Sequence, residues 1–202
     1  MSVSTRYARL AAAGGAIMLS VLLAGCGGGD HSAGSAAPSS VAGVSQEHND
    51  ADIRFAQGMI LHHQQAIEMA DLAAGRAAKP EVKALATQIK SAQDPEIQQM
   101  TGFLRAWGAA LPAAGGQHGG AAGHTGTGMM TPQQLDQLRG ATDAEFDRMF
   151  LQLMIAHHQG AIADSQRELA QGVNPQAKQL ATSIVASQSA EITRMQQLLQ
   201  TA

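Results

Sequence analysis

The sequence predicts an all-α protein, a four-helix bundle made of two duplicated antiparallel helical hairpins joined by a long crossover. Three observations lead there. Sliding Phe55 onto Phe150, an offset of 95, aligns residues 55–104 with 150–199 without a gap and with 20 identities in 50 positions. Both copies consist mainly of Ala, Gln, Leu, Ile, Met, Glu and Lys, good helix formers, with few of the β-branched and aromatic clusters that mark strands. Pro80 and Pro175 divide each copy at matching positions, where proline opens a new helix. Two copies of so long a unit are a duplicated hairpin, since a solenoid needs at least three copies of a shorter one. Short turns make each hairpin antiparallel, and two hairpins bury most surface by packing their apolar faces together.

Taken from the N-terminus, residues 1–25 read as a secretory signal. Arg6 and Arg9 precede an apolar run from Leu10 to Ala24, long enough for a signal core and too short to span a bilayer comfortably. The run closes on Leu23-Ala24-Gly25-Cys26, which resembles the lipobox of bacterial lipoproteins. Cys26 is the single cysteine, so no intramolecular disulfide is possible, and lipidation gives the thiol a use. Several acyl chains there would tether the chain to a membrane outside the cytoplasm, on the periplasmic or cell-surface side. Residues 26–48 are rich in Gly, Ser and Ala and read as a flexible tether. Removal of residues 1–25 leaves 11 basic against 16 acidic residues. That charge, with 3% aromatic residues, argues against nucleic acid as a partner.

The folded part is residues 49–202: a first repeat over 49–107, a crossover over 108–142 and a second repeat over 143–200. Helices are expected at about 49–75, 80–106, 143–170 and 175–200, with a short extra turn beginning at Thr131-Pro132. Thr142 and Glu145 have the spacing of a capping box, and Asn174 precedes Pro175 as an N-cap. Pro95 lies inside the second helix and should kink it, whereas its counterpart Ala190 should not.

The chemistry concentrates in "MILHHQQAI", Met59 to Ile67, and its echo "MIAHHQGAI", Met154 to Ile162. On a helical wheel Phe55, Met59, His62, His63 and Ala66 share one arc, so the motif faces the core. Counting outward from each turn places His62 level with Gln93, Met59 with Glu96, and Phe55 with Met100. In the second copy, His157 falls level with Gln188 and Met154 with Glu191. Imidazole and carboxylate inside a helical core need partners. They find them either in a metal-free hydrogen-bonded polar layer that fixes the register of the bundle, or around a metal ion. Neutral imidazole suits copper, zinc, nickel or iron, and thioether sulfur selects copper, Cu(I) above all. The candidate metal ligands are therefore Met59, His62, His63, Glu96, Met100, Met154, His157, His158, Glu191 and Met195. His118, His124, Met129 and Met130 in the glycine-rich crossover form a possible accessory set, against the plainer reading of a solvated linker.

These residues also carry a resemblance. The pattern Asp52, Phe55, Met59, His62-His63, Ala66, Gln93, Glu96-Ile97 and Met100 recurs as Asp147, Phe150, Met154, His157-His158, Ala161, Gln188, Glu191-Ile192 and Met195. It is similar to the bacterial family known as domain of unknown function 305. The resemblance implies a ferritin-like four-helix bundle, and through some relatives an exported copper-binding protein. The second copy departs from the first where Glu68 and Met69 become Ala163 and Asp164.

Three functions compete at this level. An envelope-anchored lipoprotein that binds, sequesters or transfers copper uses the whole constellation. A metal-free structural or partner-binding lipoprotein uses only the polar layer. A ferritin-like di-metal redox enzyme would need a Glu-x-x-His pair from two helices, and the sequence has none. Asp52 and Asp147, ten residues before the histidine pairs and about 15 Å along the helix, are too far away to supply the missing carboxylates. No nucleophile lies beside a general base in any recognisable motif, so no catalytic residue is assigned.

Overall fold

A computed structural model describes residues 43–112 and 127–201. Cys26, His31, His118 and His124, and with them the expectations for lipidation and for half of the accessory metal set, lie outside the described residues. Within them are α1 (Asp50–Arg76), α2 (Pro80–Ala106), α3 (Pro132–Gly140), α4 (Asp143–Gln171) and α5 (Pro175–Leu199). None of these helices is long and apolar enough to cross a membrane. The architecture is the expected all-α bundle: α1 pairs with α2, α4 with α5, and the two hairpins meet chiefly along α1 and α4.

Local signals set most of the ends. Asn49 caps α1 by accepting from the N–H groups of Ala51 and Asp52, while the Asp52 carboxylate accepts the N–H of Asn49, a complete capping box. Pro80, Pro132 and Pro175 each occupy the first turn of a helix, and Thr131 with Gln134 caps α3. Asn174 caps α5 as expected, accepting from Gln176 and Ala177. The helix α2 continues through Pro95.

The capping box expected from Thr142 and Glu145 does not form, because the Thr142 side chain makes no cap hydrogen bond. The start of α4 is set by contacts across the molecule instead. Asp143 adopts a left-handed φ of 56°, tolerable for aspartate, and its backbone bridges to Ala77 in the turn of the first hairpin. One turn on, the buried Asp147 carboxylate accepts the N–H groups of Ala78 (3.1 Å) and Lys79 (3.0 Å). Lys79 itself offers no side-chain cap to α2, so this carboxylate satisfies backbone donors of the turn.

Asp52 repeats the device in the other direction. It accepts from Val173 (3.2 Å) and Asn174 (2.9 Å) in the turn of the second hairpin. Each hairpin's first helix therefore starts at the other hairpin's turn. That geometry makes α1 and α4 antiparallel, with the histidine pairs at the centre of their overlap. Two apolar clusters flank this centre, one around Phe55, Met59, Met100 and Ile184, the other around Met69, Leu85, Phe150, Met154 and Met195.

Candidate metal centre

The residues of the central layer are brought there by α1, α2, α4 and α5, all four histidines being buried. The rings of His62 and His157, from facing helices, lie with centroids 3.7 Å apart at an interplanar angle of 43°. His63 Nε2 lies 2.7 Å from Glu96 Oε2, and its counterpart His158 Nε2 lies 2.6 Å from Glu191 Oε2. The duplication thus yields two equivalent His–Glu units and one His–His contact between the hairpins.

The level count placed Glu96 beside Met59, but the structure gives it to His63. The reason is the tilt of every Cα–Cβ bond toward the N-terminus of its own helix. In antiparallel helices those tilts point opposite ways, so His63 leans away from the turn and Glu96 leans toward it. The same correction applies to Glu191 and His158. The methionines are also redistributed: Met59 and Met100 enter one apolar cluster, while Met154 and Met195 enter the other. The layer holds the imidazoles, Glu and Gln, and a pair of thioethers borders it on each side.

Hydrogen bonding constrains the imidazoles. His62 Nε2 is 3.2 Å from the carbonyl oxygen of Thr127, which can only accept, so Nε2 carries the proton and Nδ1 presents a bare lone pair. Burial, followed by the neighbouring His63, pushes His62 down to about 3, and burial with the surrounding imidazoles drives His157 well below the ordinary histidine range. Both rings are neutral at neutral pH, the form that ligates metal. The Nδ1 atoms of His62, His63, His157 and His158 are all buried without a hydrogen-bond partner, as are His157 Nε2, both polar atoms of Gln93 and Gln188 Oε1. Buried polar groups are ordinarily paired, each orphan costing about 1–3 kcal/mol. A metal ion would relieve several of these at once. The His63–Glu96 and His158–Glu191 contacts have the form of a carboxylate orienting a ligating histidine through its other ring nitrogen.

Among the described residues, no three His, Cys, Asp or Glu side chains, the four buried histidines included, already stand as a group that could hold a metal ion. The donor set is instead imidazole nitrogen with thioether sulfur nearby, chemistry that suits a soft or borderline ion.

The crossover residues that lead into α3 behave differently from a solvated linker. Thr127 to Met130 run across α4 and then α1 directly over the histidine pair. At Gly160 a Cβ would sit 1.6 Å from the Thr127 carbonyl oxygen, so only glycine admits the crossing. At the repeat-equivalent position on α1, Gln65 clasps Met130, donating to its carbonyl (3.0 Å) and accepting its N–H (2.6 Å). Met130 is buried in the apolar cluster, and Met129 beside it is half-buried. Of the accessory set, Met130 is therefore core. Thr127, Gly160 and Gln65 had no motif to announce them; the substitution of Gly160 for Gln65 within a matched stretch was the available signal.

A second polar group escaped the sequence pattern. Glu168 on α4 is 2% exposed and stands against Asp52, where the first repeat has Ala73. Burial, the hydrogen bond with Asp52 and the Asp52 charge push Glu168 up to about 8, with Lys178 opposing. Burial also acts to raise Asp52, but the bond from Glu168 and the N–H groups of Asn49, Asn174 and Val173 outweigh it and hold Asp52 below the ordinary range. No N–H donor reaches either Glu168 oxygen. At neutral pH, Glu168 is thus a protonated acid with Asp52 as its acceptor.

The sequence pattern of the family described as domain of unknown function (DUF305) matches residues 52–199. CopM, solved in a Cu(II)-bound form, is 36% identical with a TM-score of 0.63, covering 74% of this chain and 96% of that one. Its Cu(I)-bound form gives 34% identity and a TM-score of 0.61, with the same coverage. A DUF305 fragment from Deinococcus radiodurans is 29% identical with a TM-score of 0.66, covering 76% of this chain and 98% of that one. No curated protein matches the chain. The family match spans all four long helices and the histidine layer, and the chain belongs to the DUF305 family.

Proposed function

We propose that this protein is an envelope-anchored lipoprotein that binds copper in its histidine layer and sequesters or transfers it. The observation that carries the reading is the cluster of buried, unpartnered imidazole nitrogens bordered by thioethers. The likeness to CopM, solved with Cu(I) and with Cu(II), supports it. Copper is cargo here. His62, His63, His157 and His158 would supply nitrogen, Met59, Met100, Met154 and Met195 would supply sulfur, and Glu96 and Glu191 would orient His63 and His158. Burial keeps His62 and His157 unprotonated and available across the neutral range. Lipidation at Cys26 would hold the domain at a membrane outside the cytoplasm, with residues 27–42 as tether; the tether expected through residue 48 is shorter, because Ser45 and Glu47 are hydrogen-bonded to the bundle and His48 stacks on Trp107.

The test is copper stoichiometry of the mature protein under anaerobic conditions. Replacing His62, His63, His157 and His158 together by alanine abolishes stoichiometric Cu(I) and Cu(II) binding while the far-ultraviolet spectrum stays helical. Unchanged stoichiometry in that variant would refute the assignment. Release of acyl-modified Cys26 peptide from membranes, and its loss in Cys26→Ala, tests the anchor.

A further inference from the structure

The duplication creates two equivalent grooves along the antiparallel α1–α4 pair, and the protein treats them differently. In one groove α3 lies across both helices, with Leu135 and Leu138 buried in a cluster that also takes in Met69, Leu72, Met149 and Leu153. The repeat-equivalent positions of the other groove are Asp164, Arg167, Arg54 and Gly58. No helix among the described residues covers it, and it forms a cleft of about 520 Å³. Gly58 is the key exchange. Where Leu153 fills space on the sealed side, a Cβ on Gly58 would meet nothing within 4 Å.

The cleft leads to the metal layer. Its inner wall includes Phe55, Met59 and Thr127. Met59 lies one helical turn before His62 on the same face, and the Thr127 carbonyl is bonded to His62. Met59 and its equivalent Met154 are both buried, at 1% and 0% exposure, but Met59 lines the cleft whereas Met154 lies in the cluster that contains Leu135 and Leu138 of α3.

We propose that the cleft is the port through which a soft metal ion reaches the histidine layer, entering from the Met59 side only. This rests on the copper-binding reading above, and adds that two chemically equivalent half-sites are kinetically distinct. The ion meets the Met59 thioether before it meets an imidazole, and the Met154 half is filled or emptied through the first half.

The proposal is tested by closing the port. Gly58→Leu installs on the cleft side the residue that the sealed side already carries. It replaces a helical glycine by a strong helix former, so the variant folds at least as well as the parent. Transfer of Cu(I) from the chromophoric chelator bicinchoninate, followed by stopped flow, should slow at least tenfold in Gly58→Leu with unchanged final stoichiometry. Gly58→Ala, which leaves the cleft open, should stay within twofold of the parent. An unaltered uptake rate in Gly58→Leu would overturn the proposal. A metal-free readout separates it from the functional reading. In chelator-treated protein given a brief pulse of hydrogen peroxide, peptide mass spectrometry should find Met59 oxidised at least fivefold faster than Met154, and Gly58→Leu should protect Met59 alone. Equal oxidation of the two methionines would refute one-sided access, whatever copper does. A parent protein that takes up no Cu(I), yet shows the oxidation asymmetry, would refute the copper reading and leave the port standing.

Discussion

Glu168 gives the sharpest test of the electrostatics, because the molecule carries its own control. At the equivalent junction Asp147 holds the turn of the first hairpin with Ala73 in place of a second acid. The turn-holding device therefore works without Glu168, and Glu168→Gln should fold, its amide donating to Asp52 as the acid does. What changes is the pH dependence. The folded-state value of about 8 lies above the ordinary 4.5, so the native state binds this proton more tightly than the unfolded chain. The stability it contributes is fully present below pH 4.5, declines as pH rises to about 8, and is absent above. At about 1.4 kcal/mol per pH unit, the undiscounted effect is about 5 kcal/mol. Glu168 is 2% exposed yet borders the open cleft, so about 3 kcal/mol is the expected size. His62 and His157 act oppositely: their lowered values give stability present above about pH 6.5 and lost as pH falls. Asp52 acts below its ordinary 3.8, outside this window. The informative quantity is therefore the difference between parent and Glu168→Gln in urea unfolding of chelator-treated protein from pH 5 to pH 8.5. It should move by about 3 kcal/mol in favour of the glutamine variant, with most of the movement above pH 6.5 surviving in the parent's own curve. A difference that stays constant with pH would refute the raised value and the protonated pair.

Other perturbations follow from the same contacts. Met59→Leu with Met154→Leu keeps volume and apolarity, so the fold should hold to within about 1.5 kcal/mol while Cu(I) affinity falls more than Cu(II) affinity, measured by chelator competition; equal losses would remove the thioethers from the ligand set. Asp147→Ala strands the N–H groups of Ala78 and Lys79 and should cost about 2–4 kcal/mol in urea unfolding, while a loss under about 0.5 kcal/mol would show that the turn does not depend on this carboxylate. Gly160→Ala drives a methyl into the Thr127 carbonyl and should cost about 1–3 kcal/mol, with a shifted His62 Nε2 proton resonance as the structural marker; an unperturbed resonance would count against the crossing.

The duplicated hairpin, the four long helices and the gathering of His62, His63, His157, His158, Glu96 and Glu191 at mid-height were legible in sequence. They follow from local propensities and from a period of 3.6 residues, which a linear string records directly. The proposal of copper as cargo rests on residue type, and the pairing of His63 with Glu96 was missed by one turn because level counting ignores the opposed tilt of side chains on antiparallel helices.

Asp52 and Asp147 show where linear reading stops. Their distance along the helix ruled them out as metal ligands, but only the tertiary structure reveals that each satisfies the other hairpin's turn, since a bond spanning 121 residues leaves no local pattern. The same holds for Gly160 and Gln65, whose partners Thr127 and Met130 come from the crossover. The sequence by itself determined two equivalent histidine–glutamate units, because duplication copies residues. The tertiary structure alone decided that their surroundings differ, because among the described residues α3 occurs once and fills only one of two symmetric grooves.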